Sequence, residues 1–173
     1  IAALCEIAQP NYGIITNIGM AHLEGFGGIE GVKKGKSELY KYLENHRCTI
    51  FINSDDEVLK PLSSSVKLVD YSTSDDSYCS GHLSETHPSL IGTWKCLNNQ
   101  KGVINSSLYG EYNFYNILAA ICIGNFFNID KDSIDAAIRN YQSDINRSQL
   151  IDYQDYKVYL DAYNANPSSM RLA

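Results

Sequence analysis

Lys36 is the residue of this sequence whose position is least usual for its type. It lies one turn after Val32 and one turn before Tyr40, so on a helical wheel it falls inside an apolar stripe. A lysine held among apolar groups has its charged form disfavoured, and its neutral amine can react with carbon dioxide to give a carbamate, an anion able to bind a metal. The alternative is snorkelling, in which the methylene stem covers apolar surface and the ammonium reaches water.

His22 is a second candidate for chemistry, as a metal ligand. It lies in a glycine-rich loop, residues 17–28, that follows a predicted buried strand, which is where open α/β sheets bind ligands. A single histidine can equally be a structural hydrogen-bond donor. The other histidines stand in polar surroundings, and we interpret them as surface residues: His46, His82 and His87.

The elements that carry these two residues form a strand, helix, strand unit. Residues 1–8 predict the end of a helix, residues 12–16 a short buried strand, residues 29–44 an amphipathic helix and residues 48–53 a second strand. The connection has the length of a right-handed crossover between parallel strands. We therefore predict an α/β fold with a three-layer, mostly parallel sheet flanked by helices.

The middle of the chain has the pattern of antiparallel strands. Short apolar segments separated by polar turns predict a small antiparallel hairpin sheet over about residues 66–109, with strands at 66–71, 90–97 and 103–109. Trp94 lies in the second of these strands, and we interpret it as a core residue without a chemical role.

The last third of the chain returns to helices and strands. Residues 113–127 are apolar on nearly all sides, which is typical of a helix buried against a sheet, and residues 131–141 predict an amphipathic helix capped near Asp130 or Asp132. Two strands follow, at residues 149–153 and 157–160, and then Asn166 and Pro167, which are typical of a helix start.

Composition excludes several classes of protein. The 173 residues suit one ordinary domain, and 14 Lys+Arg against 20 Asp+Glu give a net charge of -6, which disfavours a nucleic-acid partner. The sequence contains no run of about 18 apolar residues, so we do not expect a membrane span. Five scattered cysteines without a C-x-x-C pair favour a reducing compartment, and we expect the cytoplasm. Because the chain starts at Ile1 and stops in a predicted helix start, we expect a fragment.

The motifs, taken together and in order, resemble the central ATPase domain of the Mur ligases. The matching segments are Thr16-Asn17-Ile18-Gly19, Ala21-His22-Leu23-Glu24-Gly25-Phe26-Gly27, Lys36-Ser37-Glu38-Leu39-Tyr40, Asn53 with Asp55-Asp56, Gly110-Glu111-Tyr112-Asn113-Phe114-Tyr115-Asn116 with Leu118-Ala119-Ala120, Asn146-Arg147 and Asp161-Ala162-Tyr163-Asn164-Ala165-Asn166-Pro167-Ser168-Ser169-Met170. The likeness is most evident for the ligases that join D-alanyl-D-alanine to UDP-N-acetylmuramoyl-tripeptide, and it is weak only over residues 57–108.

The resemblance implies an enzyme of peptidoglycan precursor synthesis. Such an enzyme uses ATP and Mg²⁺ to phosphorylate the terminal carboxylate of the UDP-linked tripeptide, and the amine of D-alanyl-D-alanine then displaces phosphate. We expect no nucleic-acid or membrane partner, and a monomer for the full-length protein.

The resemblance also implies roles for six residues. In this family the histidine matching His22 binds magnesium, and the lysine matching Lys36 is carbamylated and supports the metal. The remaining four matches, Asn113, Asn116, Arg147 and Asp161, imply nucleotide contacts. Asn116 is expected to approach the adenine, Arg147 the phosphates and Asp161 the ribose hydroxyls. For Asn113 a helix cap, and for Arg147 or Asp161 a surface salt bridge, is the alternative.

Several features of the family pattern are missing or altered. No phosphate-binding G-x-x-G-K-[ST] loop occurs, and Gly35-Lys36-Ser37 imitates only its end, inside a predicted helix. Tyr112 replaces the family's usual histidine, and Ala162 replaces a Ser or Asp. We expect the P-loop, an N-terminal UDP-binding domain and a C-terminal domain to lie outside residues 1–173, so that this piece alone is inactive. Two alternatives remain: another Mur or folylpolyglutamate-type ligase, and a non-catalytic nucleotide-binding module.

Overall fold

The structure is a computed structural model that describes residues 1–20, 23–63, 67–108, 110–143 and 149–160. The chain divides into two compact units, Ile1–Ser80 and Gly81–Ala173. The described residues form five α-helices and eight strands, with one short 3-10 helix at Lys60–Leu62. In chain order the α-helices and strands are α1 Ala2–Ala8, β1 Tyr12–Ile14, α2 Leu23–Phe26, α3 Ile29–Asn45, β2 Thr49–Asn53, β3 Leu68–Ser72, β4 Cys79–Glu85, β5 Leu90–Cys96, β6 Lys101–Ser106, α4 Tyr112–Phe126, α5 Lys131–Asn140, β7 Gln149–Asp152 and β8 Lys157–Leu160.

Six strands form one mixed sheet, in the order β1-β2-β3-β4-β5-β6. The pairs β1–β2, β2–β3 and β3–β4 are parallel, whereas β5–β6 is antiparallel, and β7 and β8 form a separate antiparallel pair. The predicted α/β class with a sheet flanked by helices is confirmed. Within the described residues, no helix is long and apolar enough to cross a membrane.

In the first unit, α3 packs closely on β1 and β2. A core cluster of buried residues joins these elements: Ile15, Tyr40, Leu43, Ile50, Ile52 and Leu59. The approach is close enough that a Cβ added at Gly13 of β1 would lie 2.5 Å from Leu43 Cδ1. β2 is buried along nearly its whole length, as expected of a parallel strand covered on both faces.

The strand predicted at residues 66–71 was assigned to the wrong kind of pairing. β3 continues the parallel part of the sheet, with Phe51 opposite Val69 and Asn53 opposite Tyr71. A short strand carries the same alternation whether its neighbour is parallel or antiparallel, so the pattern alone could not reveal the partner. The antiparallel pairing of the other two predicted strands is confirmed in β5 and β6, and β4 was not predicted.

In the second unit, Trp94 of β5 lies in the core and bonds to α5. Its side chain is 2% exposed, and its indole Nε1–H donates to Asp135 Oδ1 of α5 at 2.8 Å. The prediction that Trp94 is a core residue is therefore confirmed. α5 begins with Asp130 as its cap, because the Asp130 carboxylate accepts hydrogen bonds from the Ser133 N–H at 2.9 Å and the Ser133 hydroxyl at 2.7 Å.

Candidate functional site

The Lys36 side chain reaches from α3 to the segment that follows β1. Its ammonium donates a hydrogen bond to the backbone carbonyl of Asn17 at 2.8 Å, and the side chain is half-buried. Partial loss of solvent around the amine lowers the pKa of Lys36 below its usual value. The side chain thus follows the apolar stripe, as predicted, but ends on a loop carbonyl at the carboxyl end of a parallel strand, the edge at which α/β sheets bind ligands.

Tyr40, one turn further along α3, holds the same segment at a second point. Its hydroxyl is fully buried, accepts a hydrogen bond from the Ile15 N–H at 3.3 Å and donates one to the Phe51 carbonyl at 3.2 Å. Burial raises the pKa of Tyr40 to about 12. The sequence indicated Tyr40 as a member of the apolar stripe and of a family motif, but not these hydrogen bonds, because a bond to the backbone of a distant strand leaves no local pattern.

Phe26 is the residue by which the short helix α2 rests on α3. Added Cβ atoms at Gly31 and Gly35 of α3 would collide with Phe26, at Gly31 with its backbone carbonyl and at Gly35 with the ring, 2.6 Å from Cε1. The two glycines therefore form a notch that lets α2 lie against α3. α2 falls inside the stretch predicted as a loop, and the two glycines one turn apart were the signal that could have indicated it.

The predicted metal ligand His22 lies outside the described residues, so the geometry of the predicted His22 and Lys36 pair stays a prediction. Among the residues that the structure describes, no group of three or more His, Cys, Asp or Glu side chains could hold a metal ion.

The carboxyl ends of β2 and β3 carry a set of polar side chains that shape their own loops. Asn53 Oδ1 accepts from the Asp55 N–H at 3.1 Å, and Asp55 Oδ2 accepts from the Thr73 N–H at 2.7 Å. Asp56 Oδ1 accepts from the Leu59 N–H at 3.0 Å. Asn53, Asp55 and Asp56 thus fix the turns that follow these parallel strands.

Asn113 and Asn116, predicted on the nucleotide side, lie one turn apart in the first turn of α4. Asn116 Nδ2 donates to Asn113 Oδ1 at 3.3 Å; Asn113 is 8% exposed, whereas Asn116 is exposed. The alternative prediction that Asn113 caps this helix was wrong by two residues, because the cap position is Glu111, whose side chain makes no capping bond. The buried amide instead orients the exposed one.

The other predicted nucleotide-binding residues, Arg147 and Asp161, lie outside the described residues, as do Asn146 and Tyr163. Lys36 belongs to the first compact unit and the two asparagines to the second. The structure therefore describes two separate pieces of the predicted site: the Lys36 amine on the loop after β1, and the asparagine pair at the start of α4.

Comparison with known proteins adds independent information on the whole chain. The sequence model of the Mur ligase middle domain matches residues 2–124. The chain is 30% identical, over its full length, to the UDP-N-acetylmuramoyl-tripeptide–D-alanyl-D-alanine ligase of Rickettsia prowazekii (strain Madrid E), of which it covers 40%.

Solved structures of similar proteins share the fold. MurF from Acinetobacter baumannii aligns with 99% of this chain at a TM-score of 0.84 and 22% identity, with 38% of that protein covered. A MurF ligase from Thermotoga maritima in complex with ADP aligns with 99% of the chain at a TM-score of 0.78 and 21% identity, with 40% covered. The chain spans about two fifths of the length of the curated relatives it matches. The resemblance found in the motifs is confirmed: the chain belongs to the Mur ligase middle domain family.

Proposed function

We propose that this chain is part of the central ATP-binding domain of a ligase that joins D-alanyl-D-alanine to UDP-N-acetylmuramoyl-tripeptide in peptidoglycan precursor synthesis. Family membership and the name of the Rickettsia relative support this proposal. The Thermotoga MurF ligase was solved in complex with ADP, which supports ATP as the phosphoryl donor. We propose the cytoplasm as the place of the reaction and a monomer as the working form.

The observation that carries the proposal is the placement of the Lys36 amine, which donates to the Asn17 carbonyl at 2.8 Å, beside the carboxyl end of β1. Phosphoryl transfer needs mainly positioned charge around the transferred group, and this edge of the sheet is where such charge is useful. In the proposed reaction a substrate carboxylate oxygen attacks the γ-phosphorus of ATP, the bond from that phosphorus to the β,γ-bridging oxygen breaks, and ADP leaves to give an acyl phosphate. The dipeptide amine then attacks the acyl carbon, the bond from that carbon to the phosphate oxygen breaks, and phosphate leaves while the nitrogen gives up a proton.

Lys36 takes part in this proposal as a carbamate. The neutral amine nitrogen attacks the carbon of carbon dioxide; the N–C bond forms, one C=O electron pair moves to oxygen, and an amine proton passes to water. Its depressed pKa favours the neutral amine that this step requires. Magnesium prefers oxygen ligands, which a carbamate offers and an ammonium does not. We therefore propose the Lys36 carbamate as one magnesium ligand and His22 as a further one.

Bound magnesium supplies charge neutralisation for the transferred phosphoryl group. We propose that the Asn116 amide pairs with the adenine edge, an assignment supported by its exposure and by its hydrogen bond to the buried Asn113. We propose phosphate contacts for Arg147 and ribose contacts for Asp161. The P-loop, a UDP-binding domain and the domain for the amine substrate are proposed to come from other parts of the full-length protein.

The proposal is tested with the purified full-length protein. ATP consumption must depend on both UDP-N-acetylmuramoyl-tripeptide and D-alanyl-D-alanine. Dependence on a different amine substrate would identify another Mur or folylpolyglutamate-type ligase. ATP binding without consumption, whichever acceptor is added, would identify a non-catalytic nucleotide-binding module, the alternative that the altered Tyr112 favours.

Lys36→Ala tests the carbamate. We expect ligation to fall by at least about a hundredfold, the scale of removing one positioned charge from a reaction centre, and to be partly restored by added short carboxylic acids. Lys41→Ala removes an exposed lysine from the same helix and should leave the rate within twofold of wild type. A Lys36→Ala enzyme as active as the Lys41→Ala enzyme would refute the role of Lys36.

A further inference from the structure

The segment that follows β1 is held to α3 by two side-chain hydrogen bonds from the same face of the helix. Tyr40 bonds the Ile15 N–H and, one turn earlier on α3, Lys36 bonds the Asn17 carbonyl. Ile15 and Asn17 are two residues apart, and Lys36 and Tyr40 are four apart, so the two bonds run side by side.

The two bonds differ in what they can position. The Lys36 amine stands at the end of a flexible stem of four methylene groups. Because the stem can follow the loop, the bond to the Asn17 carbonyl does not by itself fix the position of the loop. Tyr40 has a rigid ring that is fully buried in the core cluster, and its hydroxyl is fixed from the other side by the Phe51 carbonyl at 3.2 Å. The Tyr40 hydroxyl is therefore the rigid reference point between β2 and the segment after β1.

We propose that Tyr40 is a positioning residue for Lys36: its hydroxyl holds residues 15–17 against α3 and so fixes where the Lys36 amine meets the loop. The part of this inference that concerns the carbamate rests on the proposed function; the part that concerns the amine does not. Loss of the hydroxyl removes the acceptor of the Ile15 N–H, and a buried donor without its acceptor is costly enough to move the backbone toward another one. Residues 15–17 then shift, and the Lys36 amine no longer meets the Asn17 carbonyl in a fixed position.

The test uses Tyr40→Phe in the full-length protein, with two readouts on Lys36. The first is the rate at which acetic anhydride modifies the Lys36 amine at fixed pH, followed by peptide mass spectrometry, with Lys41 of the same helix as the internal reference. We expect the Lys36 to Lys41 rate ratio to rise about fivefold, the factor that corresponds to one net hydrogen bond.

The second readout is the ¹³C resonance that ¹³C-bicarbonate produces in wild type and that Lys36→Ala removes. We expect Tyr40→Phe to need about fivefold more bicarbonate for half of the full signal.

Two further variants separate positioning from stability. Tyr42→Phe makes the same chemical change on α3 at a hydroxyl that bonds none of the described residues, and it should behave as wild type in both readouts. Leu59→Ala destabilises the same core cluster without a hydrogen bond to residues 15–17, and it should lower stability while leaving the Lys36 to Lys41 ratio unchanged.

The outcomes distinguish this inference from the proposed function. An unchanged rate ratio in Tyr40→Phe overturns the inference, and so does a Leu59→Ala variant that raises the ratio as much as Tyr40→Phe does. If wild type gives no resonance that Lys36→Ala removes, the carbamate of the proposed function is refuted, and the rate ratio alone decides the role of Tyr40.

Discussion

Asp135 is a charged residue with its side chain in the core, and its surroundings explain how it is tolerated. It is 5% exposed, and its carboxylate accepts hydrogen bonds from Trp94 Nε1 at 2.8 Å and from the Val103 N–H at 3.3 Å. Lys131, one turn earlier on α5, lies 2.9 Å from Asp135 Oδ2. The buried Asp135 carboxylate therefore joins α5 to both β5 and β6 through hydrogen bonds from Trp94 and Val103.

Asp135→Asn should therefore destabilise the protein. An amide keeps the shape but replaces one acceptor oxygen with a donor, which faces the donors already present, so we expect a loss of about 1–3 kcal/mol in the free energy of unfolding. Urea titration followed by the fluorescence of Trp94 measures it. Asp132→Asn is the matched control, because Asp132 also lies beside Lys131 but is 93% exposed, and it should change stability by less than about 0.5 kcal/mol. Equal losses in the two variants would contradict the structural role of Asp135.

At the scale of elements, the notch of α3 decides how closely α2 can approach. The space above Gly31 is filled by the Phe26 carbonyl, a backbone group that cannot move without moving α2 itself. Gly124 of α4 offers a comparison within another helix, because an added Cβ there would meet its nearest atom, Ile134 Cγ1, at an ordinary 3.5 Å.

Gly31→Ala and Gly124→Ala should consequently have opposite effects. Alanine is intrinsically the better helix former by about 1 kcal/mol, so Gly124→Ala should leave stability unchanged or raise it by up to that amount. Gly31→Ala should cost about 1–3 kcal/mol, because the overlap with Phe26 forces the two helices apart. Thermal or urea unfolding of the two variants measures the difference. A Gly31→Ala protein as stable as the Gly124→Ala protein would show that α2 does not rest in the notch.

At the scale of the molecule, the five cysteines differ in how far the fold buries their thiols. None of the five forms a disulfide, and Cys48 is half-buried. The other four are buried: Cys5, Cys79, Cys96 and Cys122. Burial in apolar surroundings removes access and disfavours the reactive thiolate.

We therefore expect Cys48 to be alkylated by iodoacetamide at least about tenfold faster than the other four cysteines in the native protein, because reactivity follows thiolate exposure. Peptide mass spectrometry assigns the modification to each cysteine. After unfolding in urea, all five should react at similar rates, which provides the control for reagent access. Rapid native modification of Cys79 or Cys122 would contradict the described packing of the sheet and of α4.

The sequence alone was enough for the α/β class, for α3 and α4, and for the membership in the Mur ligase family. It also narrowed the cap of α5 to Asp130 or Asp132, of which the structure shows Asp130. These features have local signals: the stripe around Lys36 repeats every turn, and Asp130 lies directly before the helix that it caps. The motif residues are likewise a property of the chain, whatever its fold. Residue type and spacing are sufficient where the interacting groups lie within one or two turns.

Only the tertiary structure decided where β3 and β4 lie in the sheet, and what the side chains of α3 bond. Three examples join groups that are separated along the chain. β3 pairs in parallel with β2, and Phe26 packs against Gly31 and Gly35. Tyr40 forms hydrogen bonds with Ile15 and with Phe51. Their partners are chosen by the packing of the whole sheet and helix layer, because a buried donor or a close backbone contact depends on positions that no local pattern encodes.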